Sequence, residues 1–148
     1  MKPITTLVLL ADDEKARLCK NLGPYKGLEE IEDYSAAVLE HDRFADSDRA
    51  GRNQASPGTG YHAYDPEPND EQKARAAFAE LLIYELTVQF SQGDYDRLVV
   101  IAPPAMLGEL RKAMPKKMKK LLVLDMPHDY LQLTLEEVVE ALEGEIVI

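Results

Sequence analysis

A polar stretch of thirty residues, from His41 to Asp70, interrupts an otherwise regular alternation of apolar segments. Three glycines and three prolines lie among its charges, and Phe44, Tyr61 and Tyr64 are its only large apolar side chains. Loops of this length are uncommon inside a compact domain, and those that occur are usually functional or disordered. We therefore expect the loop to be the first place to look for function.

Three strands are predicted before the loop. Residues 5–11 form an apolar run rich in β-formers, which is typical of a central strand. A turn at Asp12-Asp13-Glu14 leads into a second strand over 16–22, so the two strands form a hairpin. A mostly polar third strand over 28–34 is expected near a sheet edge, although its Leu28 and Ile31 spacing also fits a helix.

Five elements are predicted after the loop. They are a helix over 70–92 with Asn69 and Gln72 in capping-box positions, a buried strand over 97–102, a helix from 104 to 114, a second buried strand over 121–125 and a helix that begins at the Thr134–Glu137 capping box and ends at Gly144. Residues 145–148 fit a short strand or a tail. The consecutive strand, helix and strand indicate a parallel βαβ unit.

This order of elements predicts a single α/β domain over residues 1–148, with a long polar loop at 41–70. The sheet is expected to be mixed, antiparallel in its N-terminal half and parallel in its C-terminal half. Helices packed on its faces give a three-layer architecture.

Composition excludes several classes of protein. The longest apolar runs are too short to cross a bilayer, and the N-terminal apolar stretch reads as a strand instead of a signal peptide, so we expect no membrane partner and a cytoplasmic location. Cys19 is the only cysteine, which excludes an intrachain disulfide, and its place in a strand predicts a buried, inert thiol.

Charge is unevenly distributed along the chain. The net charge is −10, which opposes non-specific binding to nucleic acid. One segment, Arg111 to Lys120, carries no acidic residue and six basic ones: Arg111, Lys112, Lys116, Lys117, Lys119 and Lys120. Two interpretations stay open, an anion or RNA contact and a solvated helix end beside a buried strand.

Acidic residues at predicted strand ends suggest a second kind of site. Asp12 and Asp13 follow the first strand, and Asp125 ends the last one. Converging carboxylates of this kind can hold Mg²⁺ for phosphodiester cleavage, but Asp is also a favoured turn residue. His41, His62 and His128 have no partner at metal-ligand spacing, and no GxSxG, P-loop or GxGxxG motif occurs. We therefore predict no catalytic residue, no metal ligand and no cofactor.

The segments LLADDEKARL, YHAYDP, LVVIAPPAMLGELR and HDYLQLTLEEVVEAL resemble the bacterial host-attachment protein family, whose members are described as required for attachment to host cells. The resemblance runs from about Thr5 to Leu142 and is most specific over Val99–Arg111. The loop contributes to it through Asp48, Arg49, Gly51, Arg52, Tyr61 and His62.

That family is in turn similar to the middle domain of the archaeal and eukaryotic peptide-chain release factor, which has a ribonuclease H-like, translational machinery component architecture. In the release factor, a Gly-Gly-Gln tip on the loop before the long helix helps water cleave peptidyl-tRNA. Here the equivalent tip would be Gly58-Thr59-Gly60-Tyr61-His62, and the Gly-Gly-Gln triplet is missing. The resemblance therefore implies the fold and a ribosomal partner but not peptide release.

Three functions follow in order of preference. The first is a non-catalytic ribosome- or RNA-associated module, which would use the six basic residues above and, from the loop, Arg49, Arg52, Gly58, Gly60 and His62. The second is a protein-interaction module in host attachment, whose acidic surface meets a basic partner. The third is a metal-dependent hydrolase. The sequence leaves the oligomeric state open.

Overall fold

The computed structural model describes residues 2–42 and 70–148, and a five-stranded mixed sheet runs through this part of the chain. Its strands are β1 (Thr6–Ala11), β2 (Lys15–Asn21), β3 (Glu29–Ser35), β4 (Arg97–Ile101) and β5 (Leu122–Met126). Their order across the sheet is β3-β2-β1-β4-β5, so β1 is central and β3 lies at an edge, as predicted. The β1–β2 and β2–β3 pairs are antiparallel and the β1–β4 and β4–β5 pairs are parallel, which confirms the mixed sheet.

The three predicted helices follow the strands in the predicted order, and the described residues contain two further short helices, one after β3 and one before β5. Residues 36–42 form α1 as far as the described part extends, and the others are α2 (Asp70–Gln92), α3 (Pro104–Ala113), α4 (Lys116–Lys119) and α5 (Leu135–Leu142). Proline begins α3, where a missing backbone N–H is tolerated. The Thr134–Glu137 capping box at the start of α5 is complete, because each side chain accepts a hydrogen bond from the other residue's backbone N–H.

Two hydrophobic cores lie on opposite faces of the sheet, because successive strand side chains point to opposite sides. Leu7 and Leu9 of β1 belong to the first core, which also contains Phe78, Leu82, Leu86, Met106, Leu110, Met114 and Met118 from α2, α3, α4 and the α3–α4 junction. Val8 and Leu10 belong to the second core, which α5 covers with Val138 and Leu142. The result is the predicted three-layer architecture.

Strand β5 is less buried than predicted. It pairs only with β4 and forms the second edge of the sheet, and Val123 is half exposed. Its apolar residues still contact both layers of helices, since Leu122 packs against the first core and Leu124 against the second.

The start of the loop also differs from the prediction, whereas the end of the chain is the second of its two predicted alternatives, a tail. Residues 41 and 42 are helical, because α1 begins at residue 36, directly after β3. Ser35 begins this helix by accepting a hydrogen bond from the Val38 backbone N–H at 3.2 Å, and Leu39 packs against the first core. Residues 145–148 form no strand, and Ile148 is buried against the second core.

Candidate nucleic-acid interface

Helix α4 presents its basic residues to solvent because two methionines hold it on the first core. Met114 precedes the helix and Met118 lies within it, and both side chains are buried. Pro115 begins the turn, with the Lys119 backbone N–H donating to the Pro115 carbonyl at 3.0 Å. The remaining positions of this turn point outward, and they are Lys116, Lys117, Lys119 and Lys120, here called the lysine surface.

The six predicted basic residues fall into two groups. Arg111 donates from Nε to the Asp125 carboxylate at 2.8 Å. This ion pair raises the pKa of Arg111 and makes its guanidinium less available to another anion. Lys112 lies 3.8 Å from the Glu109 carboxylate on the same helix. The four residues of the lysine surface form no ion pair with any residue of 2–42 or 70–148. They are therefore the part of the segment most available to an anion.

A groove lies beside the lysine surface, between the end of α2, the residues after it and α4. We call it the aromatic groove; it has a volume of about 400 Å³ and is lined by Thr87, Phe90, Ser91, Tyr95, Pro115, Lys117, Met118 and Leu121. The Phe90 and Tyr95 rings meet edge to face, with centroids 6.3 Å apart and planes at 88°. Lys117 belongs to both the groove and the lysine surface, so an apolar cleft and a positive charge adjoin.

A larger cavity of about 1000 Å³ has the opposite character. We call it the acidic cavity, because six carboxylates line it: Asp12, Glu14, Glu32, Asp33, Asp42 and Glu85. Burial raises the pKa of Glu85, and the like charges of Glu32 and Asp42 raise it further. Burial, then Glu85 and Glu32, raise the pKa of Tyr34 to about 12.

The carboxylates at the strand ends do not form the metal site that the hydrolase hypothesis needs. Asp13 accepts two hydrogen bonds from Arg75, both at 3.1 Å, and Asp125 accepts one from Arg111. Asp12 accepts from the backbone N–H groups of Glu14 and Lys15 at 2.8 and 2.7 Å and so stabilises the β1–β2 turn. Within residues 2–42 and 70–148, no three His, Cys, Asp or Glu side chains lie close enough together to hold a metal ion.

The other singled-out side chains have structural surroundings. Cys19 is fully buried in the second core, as predicted, and burial raises the pKa of its thiol to about 11. His128 stacks on Tyr130 with ring centroids 5.2 Å apart. The loop residues Arg49, Arg52, Gly58, Gly60 and His62, and the capping residue Asn69, lie outside the described residues. In the described part, no helix is both long and apolar enough to span a bilayer.

Sequence reasoning missed the aromatic groove and the acidic cavity. Phe90 and Tyr95 are half-buried, and both pack against the first core. Only the fold brings the Phe90–Tyr95 pair next to Lys117, more than twenty positions along the chain. Tyr95 gives a weak indication of the groove in the sequence, because it is an aromatic residue in a polar connection just after the helix ends near Gly93.

Several solved structures share this fold. The crystal structure of archaeal translation termination factor aRF1 aligns with a TM-score of 0.51 at 15% identity, over 97% of this chain and 35% of that chain. A second structure, described as an archaeal protein, aligns with the same TM-score and identity over 97% of this chain and 34% of that one. The chain therefore spans about a third of the length of the structures that it matches. The predicted release-factor-like α/β fold is confirmed.

A weaker likeness extends to Dom34 of S. cerevisiae, a translation termination-like factor involved in RNA quality control pathways and interacting with Hbs1, with a TM-score of 0.39 at 11% identity, over 91% of this chain and 32% of that one.

No curated protein gives a significant match. The host-attachment name finds no support in these comparisons. The sequence model of a release-factor family, by contrast, matches residues 5–142, nearly the whole chain. The chain belongs to bacterial archaeo-eukaryotic release factor family 12.

Proposed function

We propose that the protein is a non-catalytic, release-factor-like module that binds ribosomal RNA through the lysine surface. The observation that carries this proposal is the group of four exposed lysines, without ion-pair partners in the described residues, on a turn anchored by Met114 and Met118. Phosphate is the ligand such a surface fits best, because lysine ammonium groups replace the counterions that surround a nucleic-acid backbone.

The acidity of the rest of the chain supports this mode of binding. With a net charge of −10, most of the surface repels a polyanion. Because the rest of the surface is repelled, the protein approaches RNA with the lysine surface first. The uneven charge therefore orients the protein on the RNA as well as attracting it. The patch lies beside the aromatic groove, which Lys117 lines, and its four lysines are exposed.

The loop belongs to the proposal as a second contact. This part rests on sequence alone, through Arg49, Arg52, Gly58, Gly60 and His62. Arginine side chains fork onto phosphate oxygens, and glycines let a backbone approach RNA closely. Because no Gly-Gly-Gln occurs in the chain, we expect ribosome binding in the cytoplasm without hydrolysis of peptidyl-tRNA.

Co-sedimentation with bacterial ribosomes tests the proposal. The wild-type protein should pellet with ribosomes at low salt and dissociate as salt rises. Lys116→Gln with Lys117→Gln should weaken this association about tenfold, since each phosphate contact adds to the affinity. Lys15→Gln with Lys26→Gln, which removes the same charge from two other exposed lysines, should not. Equal pelleting of both double variants, or no salt-dependent pelleting of the wild type, would reject the lysine surface as the contact.

A second candidate, a protein-interaction module, is favoured by the acidic cavity. Its six carboxylates face two cations, Lys15 and Arg17, and Arg17 is held by Glu30 at 2.8 Å. Such a cavity fits a basic peptide, and a role in attachment to host cells would take this form.

Calorimetry with a lysine-rich peptide tests this second candidate. Glu32→Gln with Asp33→Asn should lower the peptide affinity, whereas Glu136→Gln with Glu140→Gln, on an exposed face of α5, should not. Equal affinity for both variants would exclude the cavity as the binding site.

A further inference from the structure

We propose that the aromatic groove receives an unpaired RNA base while the lysine surface binds the adjoining phosphates, so that the ligand of this face is single-stranded RNA. This inference rests on the proposed function and names the class of RNA. It comes from the adjacency of the two features, since Lys117 lines the groove and belongs to the lysine surface.

The groove has the size and lining of a site for a small planar group. Its volume of about 400 Å³ falls within the range of roughly 300–1,000 Å³ that is usual for small-molecule sites. The rings of Phe90 and Tyr95 supply aromatic surface, and Pro115, Met118 and Leu121 supply aliphatic surface. Single-strand-binding proteins combine these two elements, aromatic platforms for bases and cations for the backbone.

Two hydroxyls add polar contacts to this lining. Thr87 Oγ1 donates to the Ile83 carbonyl at 2.9 Å, and Ser91 Oγ donates to the Val88 carbonyl at 2.7 Å. Each hydroxyl proton is thereby used within α2, and each oxygen keeps lone pairs for an incoming donor. The N–H groups on the Watson–Crick edge of a base are donors of this kind, and they are free only when the base is unpaired.

The positive charge beside the groove favours RNA over other occupants of an apolar groove. An aliphatic side chain of a protein partner would fill the cleft but would supply no counter-charge to Lys117 at the groove or to the three other lysines of the lysine surface. A nucleotide satisfies both parts at once, because its base and its phosphate are joined. Duplex RNA satisfies only the lysines, since its bases are stacked and paired.

Ser91→Leu tests the inference by closing the groove from an exposed position, without removing core side chains. The control is Gln92→Leu, which introduces leucine at the next residue of α2. Gln92 is exposed and does not line the groove. Three fluorescent probes of equal charge are compared by anisotropy: a short single-stranded RNA, the same strand without bases, and a duplex of the same phosphate count. A fourth strand carries 2-aminopurine, whose fluorescence falls when it stacks.

The expected result is selective. Wild-type protein binds the strand with bases about tenfold more tightly than the abasic strand and quenches 2-aminopurine, in keeping with the usual energy of stacking on an aromatic side chain. Ser91→Leu removes both effects and leaves duplex and abasic binding unchanged, whereas Gln92→Leu behaves as wild type.

Other outcomes reject the inference in distinguishable ways. Equal wild-type affinity for strands with and without bases, or no effect of Ser91→Leu, would overturn the base site, leave phosphate binding by the lysine surface intact and turn attention to a protein side chain as occupant of the groove. If no RNA probe binds at all, the proposed function fails together with this inference.

Discussion

The Tyr95 ring occupies the space that a side chain on Gly93 would need. A Cβ built on Gly93 would lie 2.3 Å from Cε2 and 2.8 Å from Cδ2 of Tyr95, far inside van der Waals contact. Glycine at this position therefore allows the chain to fold back after α2, with the Gly93 backbone N–H donating to the Gln89 carbonyl at 2.9 Å. The shape of the aromatic groove depends on this close approach, because Tyr95 lines it.

Gly93→Ala should displace the Tyr95 ring and destabilise the protein. We expect a loss of about 1–2 kcal/mol in the free energy of unfolding, the usual cost of forcing one carbon into a packed site. Urea denaturation gives this quantity. Gly108→Ala is the control: a Cβ there meets no atom within 4 Å, so replacing a glycine inside α3 should stabilise by about 0.5–1 kcal/mol. Equal effects of the two substitutions would contradict the packing of Tyr95 against Gly93.

Cys19 should not react with thiol reagents while the protein is folded. Its side chain is fully buried, and burial raises the pKa of the thiol to about 11, so almost no thiolate exists at pH 8. Labelling with Ellman's reagent should be negligible in buffer and complete in denaturant. Rapid labelling of native protein would show that Cys19 is accessible.

Glu85→Gln should stabilise the protein at neutral pH, by about 0.5 kcal/mol. Burial and the neighbouring Glu32 and Asp42 raise the pKa of Glu85 in the folded state, so the folded protein holds its proton more tightly than the unfolded chain. The stability contributed by Glu85 therefore falls as pH rises from the ordinary glutamate pKa through the raised one. The gain from Glu85→Gln should appear above that range and vanish below it.

Thermal unfolding at several pH values measures this difference. Glu80→Gln is the matched control, at an exposed position of the same helix. A gain that is independent of pH, or one shared by Glu80→Gln, would show that burial of the Glu85 charge is not its cause.

The Asp13–Arg75 pair should couple the β1–β2 turn to α2. Both hydrogen bonds are 3.1 Å long, and the Arg75 side chain is only 16% exposed. In a double-mutant cycle with Asp13→Asn and Arg75→Gln, we expect a coupling energy of about 0.5–1 kcal/mol that decreases in high salt. A coupling energy of zero would mean that solvent screens the pair completely.

Much of the fold follows from local patterns in the sequence. The spacing of Phe78, Leu82 and Leu86 predicts α2 with its observed bounds, and the Thr134–Glu137 box predicts the start of α5. These features are local, so a single sequence is enough to recognise them. Strand β5 was misjudged because an apolar run does not reveal how many neighbours a strand has. Helix α1 is not predicted because its apolar residues, Ala36 to Leu39, form one short run without helical spacing.

The candidate site was less predictable than the fold. The basic segment is visible in the sequence as a run of charges. The sequence does not show that Arg111 is paired with Asp125 while the four residues of the lysine surface are exposed, because this difference depends on the packing of β5 beside α3. The aromatic groove combines residues from α2 and α4. Such long-range adjacency requires the tertiary structure, since no local spacing encodes it.

The salt dependence of binding to a single-stranded RNA tests RNA binding by the lysine surface most directly. If all four lysines contact phosphate, the logarithm of the association constant should fall against the logarithm of salt concentration with a slope of about −2.8. Lys116→Gln with Lys117→Gln should reduce this slope to about −1.4, and Lys15→Gln with Lys26→Gln should leave it unchanged. A slope near zero, or the same slope in both double variants, would contradict binding of RNA through this surface.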